Sequence, residues 1–376
     1  MNKIFKLMRK DSVVALFEAE YIDTDFKGFN FLKIADSNKL PLAIQKGMSL
    51  DSFLRHRFVP SNRENVKKII ATISGNDAAT TDVIVEYTKA LSLNDDFWVA
   101  RENEAEGWRK YNLYENKFNT AIAEIAFGGN GLYVGSNASG SPEYTTGGAL
   151  RKCWRRIDGG IYLYKAGSAQ TGLEPYSEFY SAQIAELMGI NHVKYNLSQW
   201  RGRLCSTCKL FTSPKYSYVP MAQILPGVRS EQFVIELRKL DKNGKLYRDL
   251  TDMLVFDAVT GNTDRHLNNF GIMQDNDTLQ ILDGLSPIFD NGLSLFCYDL
   301  EKDMTDKNFY DIFEFFTLNV NADRIKEFMS NRHFEMLNKL TDFKFKKHSR
   351  HNLPSSRLKL IEDIIQKRLC NLKQKG

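Results

Sequence analysis

The sequence predicts an α+β chain with its strands concentrated in the first 212 residues and its helices dominating the remainder. Three observations carry this. Val13 to Glu20 and Gly28 to Ile34 hold β-branched and aromatic residues on either side of an Asp/Lys/Gly turn, the pattern of a hairpin. Ile161-Tyr-Leu-Tyr-Lys165 follows a glycine turn after another such run. From Leu246 onward, apolar residues recur instead at helical spacing. The 376 residues and 43% hydrophobic content allow a substantial core and two or three domains. The shifts in pattern divide the chain into an accessory region (1–95), a strand-rich part (96–212) and a helical part (213–376).

Taken in order, the first hairpin leads into two predicted helices. Ser49 is placed to cap Leu50 to Arg57, and Ser61 to cap a segment whose Val66, Ile69, Ile70 and Ile73 share one face, with Gly75 as its stop. Nothing in this region carries identifiable chemistry. A helix-like run follows around Phe118 to Phe127. Gly128 to Gly148 then contains seven glycines among serines, threonines and one proline, a composition that does not pack by itself and reads as a flexible surface loop.

The position of that loop gives it a second reading. Glycines let backbone N–H groups approach an anion, and hydroxyls add donors. The loop runs into Leu150 to Arg156, a Gly159-Gly160 turn and a strand ending at Lys165. A glycine loop followed by strand, turn and strand with lysine is the order that delivers a lysine to the α- and β-phosphates of a nucleotide. The plain alternative for Lys165 is an exposed strand-end lysine. No Gly-x-x-x-x-Gly-Lys-Ser/Thr motif occurs, which argues against a P-loop NTPase. The helix predicted from Pro175 shows Tyr176, Phe179, Tyr180, Ile184, Leu187 and Met188 on one face and ends at Gly189. Glu178 falls in its first turn, either to pair with Lys165 or to complement the helix dipole.

Beyond the helix Leu246 to Thr260 lies the densest chemistry: Gly261-Asn-Thr-Asp264-Arg-His266-Leu-Asn-Asn269, then Ile288-Phe-Asp290-Asn-Gly292. Asp264 and Asn269 stand five apart, the spacing that sets a base beside an acceptor hydroxyl and a carboxamide on magnesium. Asp290 could hold the same metal from another side. The same residue types also build ordinary loops and caps. Further helices are expected over Phe309 to Phe316, Ala322 to Leu340 and Ser356 to Leu372.

Gly-Asn-Thr-Asp-Arg-His-x-x-Asn followed by an apolar-Asp segment resembles the catalytic and metal-binding segments of HipA-like serine/threonine kinases, and the similarity extends over residues 130 to 330. It implies a two-lobed, protein-kinase-like fold that uses ATP and Mg²⁺ to phosphorylate a protein of unknown identity. Asp264 would then orient or deprotonate the hydroxyl, Asn269 and Asp290 would hold Mg²⁺, and Lys165, paired with Glu178, would meet the phosphates. His266 would hold the catalytic loop. Ser141 to Gly148, with Thr145, Thr146 and Gly147, would occupy the phosphate-loop position, and Lys209 to Phe211 would form the hinge receiving adenine. The resemblance also implies autophosphorylation in the loop, at Ser139 or Ser141 among Ser136, Ser139, Ser141, Thr145 and Thr146, and an antitoxin-like partner. Two rival readings are a lipid or small-molecule kinase and a silent nucleotide-binding module.

Composition narrows the remaining classes. Met1 to Asp11 has charge but no apolar core of signal-peptide length, and no run of 18 apolar residues occurs, so a cytoplasmic protein without a membrane span is expected. The net charge of +5 and the late lysines (Lys344, Lys346, Lys347, Lys367, Lys373) read as a solvated face; direct nucleic-acid binding is not expected. Five scattered cysteines give no disulfide framework, and Cys205-Ser-Thr-Cys208 reads as strand packing.

Overall fold

The computed structural model describes residues 3–75, 79–129, 140–305 and 322–374. These fall into two compact units. The first comprises Met1–Lys165, Leu210–Val219 and Met273–Ile281, and the second Ala166–Lys209, Pro220–Ile272 and Leu282–Gly376.

In the first unit, β1 (Lys3–Arg9), β2 (Ser12–Ile22), β3 (Asp25–Ile34) and β4 (Phe97–Arg101) form an antiparallel sheet in the order β3-β2-β1-β4. The register Ile22↔Asp25 leaves Asp23 and Thr24 to make the turn between β2 and β3, with Asp23 at φ 56°. Alternation along β1 and β2 sends Phe5 and Phe17 to one face, where they stack at 5.4 Å and meet Phe29 edge-on. Helices Leu50–Arg55 and Thr81–Thr88 help cover that face. Phe97–Arg101 joins this sheet by pairing with β1, so the N-terminal sheet includes residues beyond 95. Ser49 caps its helix by accepting from the Ser52 N–H. Ser61 does not cap the next one: Val66–Ser74 begins after Asn65 at φ 66°, and Gly75 ends it.

After the helix Thr120–Gly128, β5 (Lys152–Ile157) and β6 (Gly160–Ala166) form the expected hairpin. Its turn is Asp158-Gly159, one residue earlier than read from the sequence, with φ values of 48° and 76°. Left-handed backbone at both positions is what a two-residue turn needs to match strand twist, and Asp-Gly supplies it.

The second unit contains the hairpin of β7 (Tyr195–Trp200) and β8 (Arg203–Lys209) and is otherwise largely helical. β9 (Tyr216–Pro220) and β10 (Gly271–Asp275) pair as a two-stranded sheet. Helix Lys245–Thr260 is the core of the second unit: Leu250, Met253, Leu254, Phe256, Ala258 and Val259 are buried, and it packs against helices Glu174–Met188 and Ser355–Lys373. The sequence expected Leu187 on the buried face of Glu174–Met188, but it is 41% exposed while Ser177, Glu178 and Ser181 are buried. The segment expected as one helix over Ala322 to Leu340 is two, Ala322–Phe328 and Asn331–Asn338. The break falls at Ser330, whose N–H donates to His333 Nδ1 and starts the second helix. The helix expected over Phe309 to Phe316 lies outside the described residues. Among the described residues no helix is long and apolar enough to cross a membrane.

Candidate functional site

The second unit gathers Asp264, Asn269, Asp290 and Glu178 around one buried cation. Helix Lys245–Thr260 ends at Gly261, which adopts φ 66°; a Cβ there would also lie 2.5 Å from Arg368 Nη1, so both backbone and space call for glycine. The chain leaving this cap is tied back by Asn262, whose Nδ2 donates to Asp257 Oδ1 (3.2 Å) and whose Oδ1 accepts from the Asp264 N–H (3.0 Å). Arg265 then turns inward. Its Nε and Nη2 reach the two carboxylate oxygens of Asp257 at 3.0 Å each. Its Nη1 donates to the carbonyls of Asn269 (3.0 Å) and Phe289 (2.6 Å), and Nη2 donates also to Asn291 Oδ1 (2.6 Å). One guanidinium thus joins the loop after the core helix to the segment holding Asp290.

Both members of the Arg265–Asp257 pair are fully buried. Burial works against the guanidinium charge, yet contact with Asp257, together with the charges of Asp290 and Glu178, raises its pKa. Burial raises the Asp257 carboxyl, against the pull of Arg265 and Asn262. We regard the pair as charged, because arginine keeps its proton in proteins and both carboxylate oxygens are occupied by its fork.

The loop itself is tight. The Asp264 carbonyl accepts from the His266 N–H (2.9 Å) and from Asn269 Nδ2 (2.8 Å), and the His266 carbonyl accepts from the Asn269 N–H (2.8 Å). Asp264 is half-buried, Asn269 buried and His266 exposed. His266 Nδ1 accepts from the Asn268 N–H, which fits a ring that shapes the loop.

The Asp290 segment is fastened from another side. Val193 N–H donates to the Ile288 carbonyl and Ile288 N–H to that of Asn191, both at 2.9 Å. This lays the segment beside the chain entering β7. Asp290 adopts φ 57°; its N–H donates to Tyr195 Oη (3.2 Å), and the Asn291 N–H donates to Glu178 Oε2 (2.9 Å). Burial, with the negative charges of Glu178 and Asp290 nearby, holds the Tyr195 hydroxyl well above its usual pKa. Glu178 lies in the second turn of a helix that begins at Glu174, not the first, so a contribution to the helix dipole gives way to the bond with Asn291.

The oxygen chemistry suits a hard cation. Asn269 spends its Nδ2 on the Asp264 carbonyl, which orients the carboxamide and leaves Oδ1 as its acceptor face. Among the described residues no group of three or more His, Cys, Asp or Glu could hold a metal alone. A cation here would combine Asp290 and Asn269 with water and substrate oxygens, which is how magnesium is commonly bound.

In the first unit, Lys165 lies opposite Lys152 on the β5–β6 hairpin and is only 8% exposed, which removes the exposed strand-end reading. Residues 140–150 are fixed in place, correcting the flexible loop expected there. Arg63 is buried and donates to the carbonyls of Thr146 (2.7 Å) and Leu150 (2.6 Å); burial lowers its pKa to about 10, with Glu143 opposing. Glu143 is buried and accepts from the Ser141 hydroxyl (2.5 Å) and the Trp154 N–H (2.8 Å). Thr146 Oγ1 donates to the Pro142 carbonyl (2.7 Å), Thr145 Oγ1 to the same oxygen (3.4 Å), and Lys152 Nζ to that of Gly147 (2.9 Å). Gly147 and Gly148 are exposed. Ser136 and Ser139 lie outside the described residues. The chain passes from the second unit to the first between Lys209 and Leu210; Lys209 is exposed at the end of β8, while Phe211 packs edge-on against Tyr218 at 5.6 Å.

No family model matches the chain, and no curated protein matches it by sequence. Among solved structures it is similar to HipA from the toxin–antitoxin system of Shewanella oneidensis MR-1, solved with HipB and operator DNA. The match has a TM-score of 0.57 and 13% identity, covering 98% of this chain and 96% of that one. The chain has the HipA fold. A second similar structure, the proinflammatory kinase CtkA of Helicobacter pylori, matches with TM-score 0.47 and 16% identity over 58% of this chain and 89% of that one.

Within this HipA fold, the residues that sequence reasoning missed are the supports. Asp257 could have been noticed as a lone carboxylate near the end of an otherwise apolar helix turn, Val255-Phe256-Asp257-Ala258-Val259, because an ionised residue there needs a partner. Tyr195, Asn291 and Arg63 carry no comparable signal, since their partners are distant in sequence.

Proposed function

We propose that the chain is an ATP- and Mg²⁺-dependent serine/threonine protein kinase of the HipA type. The supporting observation is the single buried guanidinium of Arg265, which fixes the Asp264–Asn269 loop and the Asp290 segment to each other. Such an arrangement has little to do covalently; its task is positioning and charge stabilisation during phosphoryl transfer. Asp264 orients the acceptor hydroxyl and takes its proton. Asn269 and Asp290 hold Mg²⁺, which when bound neutralises charge on the transferring phosphoryl group. Lys165 supplies charge to the α- and β-phosphates, residues 141–148 approach them, and Lys209 to Phe211 receive adenine.

The similar S. oneidensis protein was solved with HipB and operator DNA, and on that basis we extend the reading to an antitoxin-like protein partner. The reading as a kinase is tested by ATP kinetics of Lys165→Ala. Loss of a positioned charge from the site raises KM for ATP and lowers kcat by orders of magnitude. Kinetics equal to wild type would remove Lys165 from the site.

A further inference from the structure

We propose that Tyr195 is a positioning residue for the metal-binding carboxylate: together with Glu178 it fixes the backbone at Asp290, and thereby sets the affinity for the divalent cation. The inference rests on the kinase reading for the role of Asp290, but the latch itself stands on geometry. Asp290 is a non-glycine residue at φ 57°, a conformation that costs of order 1 kcal/mol or more and persists only where surroundings hold it. Two consecutive N–H groups supply that hold. That of Asp290 donates to Tyr195 Oη at 3.2 Å, and that of Asn291 to Glu178 Oε2 at 2.9 Å.

Glu178 and Asn291 are each 1% exposed, so the second bond is shielded from water. Tyr195 and Glu178 come from different elements, β7 and helix Glu174–Met188. The chain before β7 also pairs with Ile288, bringing Tyr195 alongside. With both N–H groups turned to these acceptors, the backbone at Asp290 is held in the left-handed conformation from which its half-buried side chain leaves the chain. Without the Tyr195 hydroxyl, residue 290 relaxes toward ordinary backbone, and a cation must restore the strained form on binding.

The test compares wild type with Tyr195→Phe, which keeps the ring and removes the hydroxyl that accepts from the Asp290 N–H. Amide hydrogen exchange is read at Asp290 and Asn291, and Mn²⁺ is titrated in the presence of a non-hydrolysable ATP analogue with free Mn²⁺ followed by electron paramagnetic resonance. We expect both amides protected in wild type, faster exchange at Asp290 in the variant, and a roughly three- to ten-fold higher Mn²⁺ concentration at half-saturation, as loss of one hydrogen bond implies. Unprotected amides in wild type overturn the latch even should Tyr195→Phe fail to fold. Faster exchange with unchanged Mn²⁺ affinity overturns the link to the metal. If wild type binds no Mn²⁺–nucleotide, the kinase reading fails, and exchange alone then decides the latch.

Discussion

Arg265 and Asp257 form a fully buried two-point ion pair, Nε to Oδ2 and Nη2 to Oδ1 at 3.0 Å each, eight residues apart across the end of one helix. The pair stands between the core helix of the second unit and the Asp264–Asn269 loop. Its arginine has further bonds to Asn269, Phe289 and Asn291. Removing one member of such a pair leaves a buried charge and costs about 3–5 kcal/mol. Arg265→Met is therefore expected to lower stability by that amount in chemical denaturation and to abolish activity even in the fraction that folds. Arg265→Met with wild-type stability would show that the pair does not hold the loop.

A pH dependence resides elsewhere. Asp96 is buried in the first unit, and burial raises its pKa to about 6, against the pull of Arg9, whose Nε lies 3.2 Å away. A carboxyl whose folded pKa lies above its unfolded one favours folding most below the unfolded value, and that contribution fades as pH rises through the folded value. For Asp96 the window runs from about pH 4 to 6. Asp96→Asn is expected to remove this slope, making the difference in unfolding free energy between variant and wild type change with pH across the window. A parallel pair of stability curves from pH 4 to 7 would contradict the assignment.

Much of the architecture was legible because local rules decide it. The β5–β6 hairpin, with its turn placed one residue late, the glycine caps at Gly75, Gly189 and Gly261, and the helix Lys245–Thr260 all follow from residues close in sequence. The candidate site was legible only as spacing: Asp264, Asn269 and Asp290 could be named, but not what holds them. Asp257 acts across eight residues, Tyr195 across 95 and Glu178 across 113, and no periodicity reports such pairings. Residues 140–150 were misread for the same reason. Glycines and hydroxyls signal flexibility, whereas the structure fixes the segment through Arg63, a residue more than 80 positions earlier.

That fixation changes which hydroxyl is open to modification. Ser141 is buried and donates to the carboxylate of Glu143, and Thr146 donates to the Pro142 carbonyl while accepting from Trp154 Nε1 at 2.9 Å. A phosphate at Ser141 would set about −1.5 to −2 charges beside a buried carboxylate. Mass spectrometry after incubation with Mg-ATP is expected to find Ser141 unmodified. Phosphorylated Ser141 in folded protein would mean the segment opens far more readily than its bonds imply.

The central claim, that Asp264 drives phosphoryl transfer at a metal site completed by Asn269 and Asp290, is tested most directly by transfer of label from γ-³²P ATP in wild type, Asp264→Asn and Asp290→Asn. Wild type is expected to label protein in the presence of Mg²⁺. Asp264→Asn should still bind ATP yet lose transfer by about 10²- to 10⁴-fold, the usual contribution of a positioned base, whereas Asp290→Asn should also weaken Mg²⁺-dependent binding. Transfer by Asp264→Asn at the wild-type rate would contradict the account.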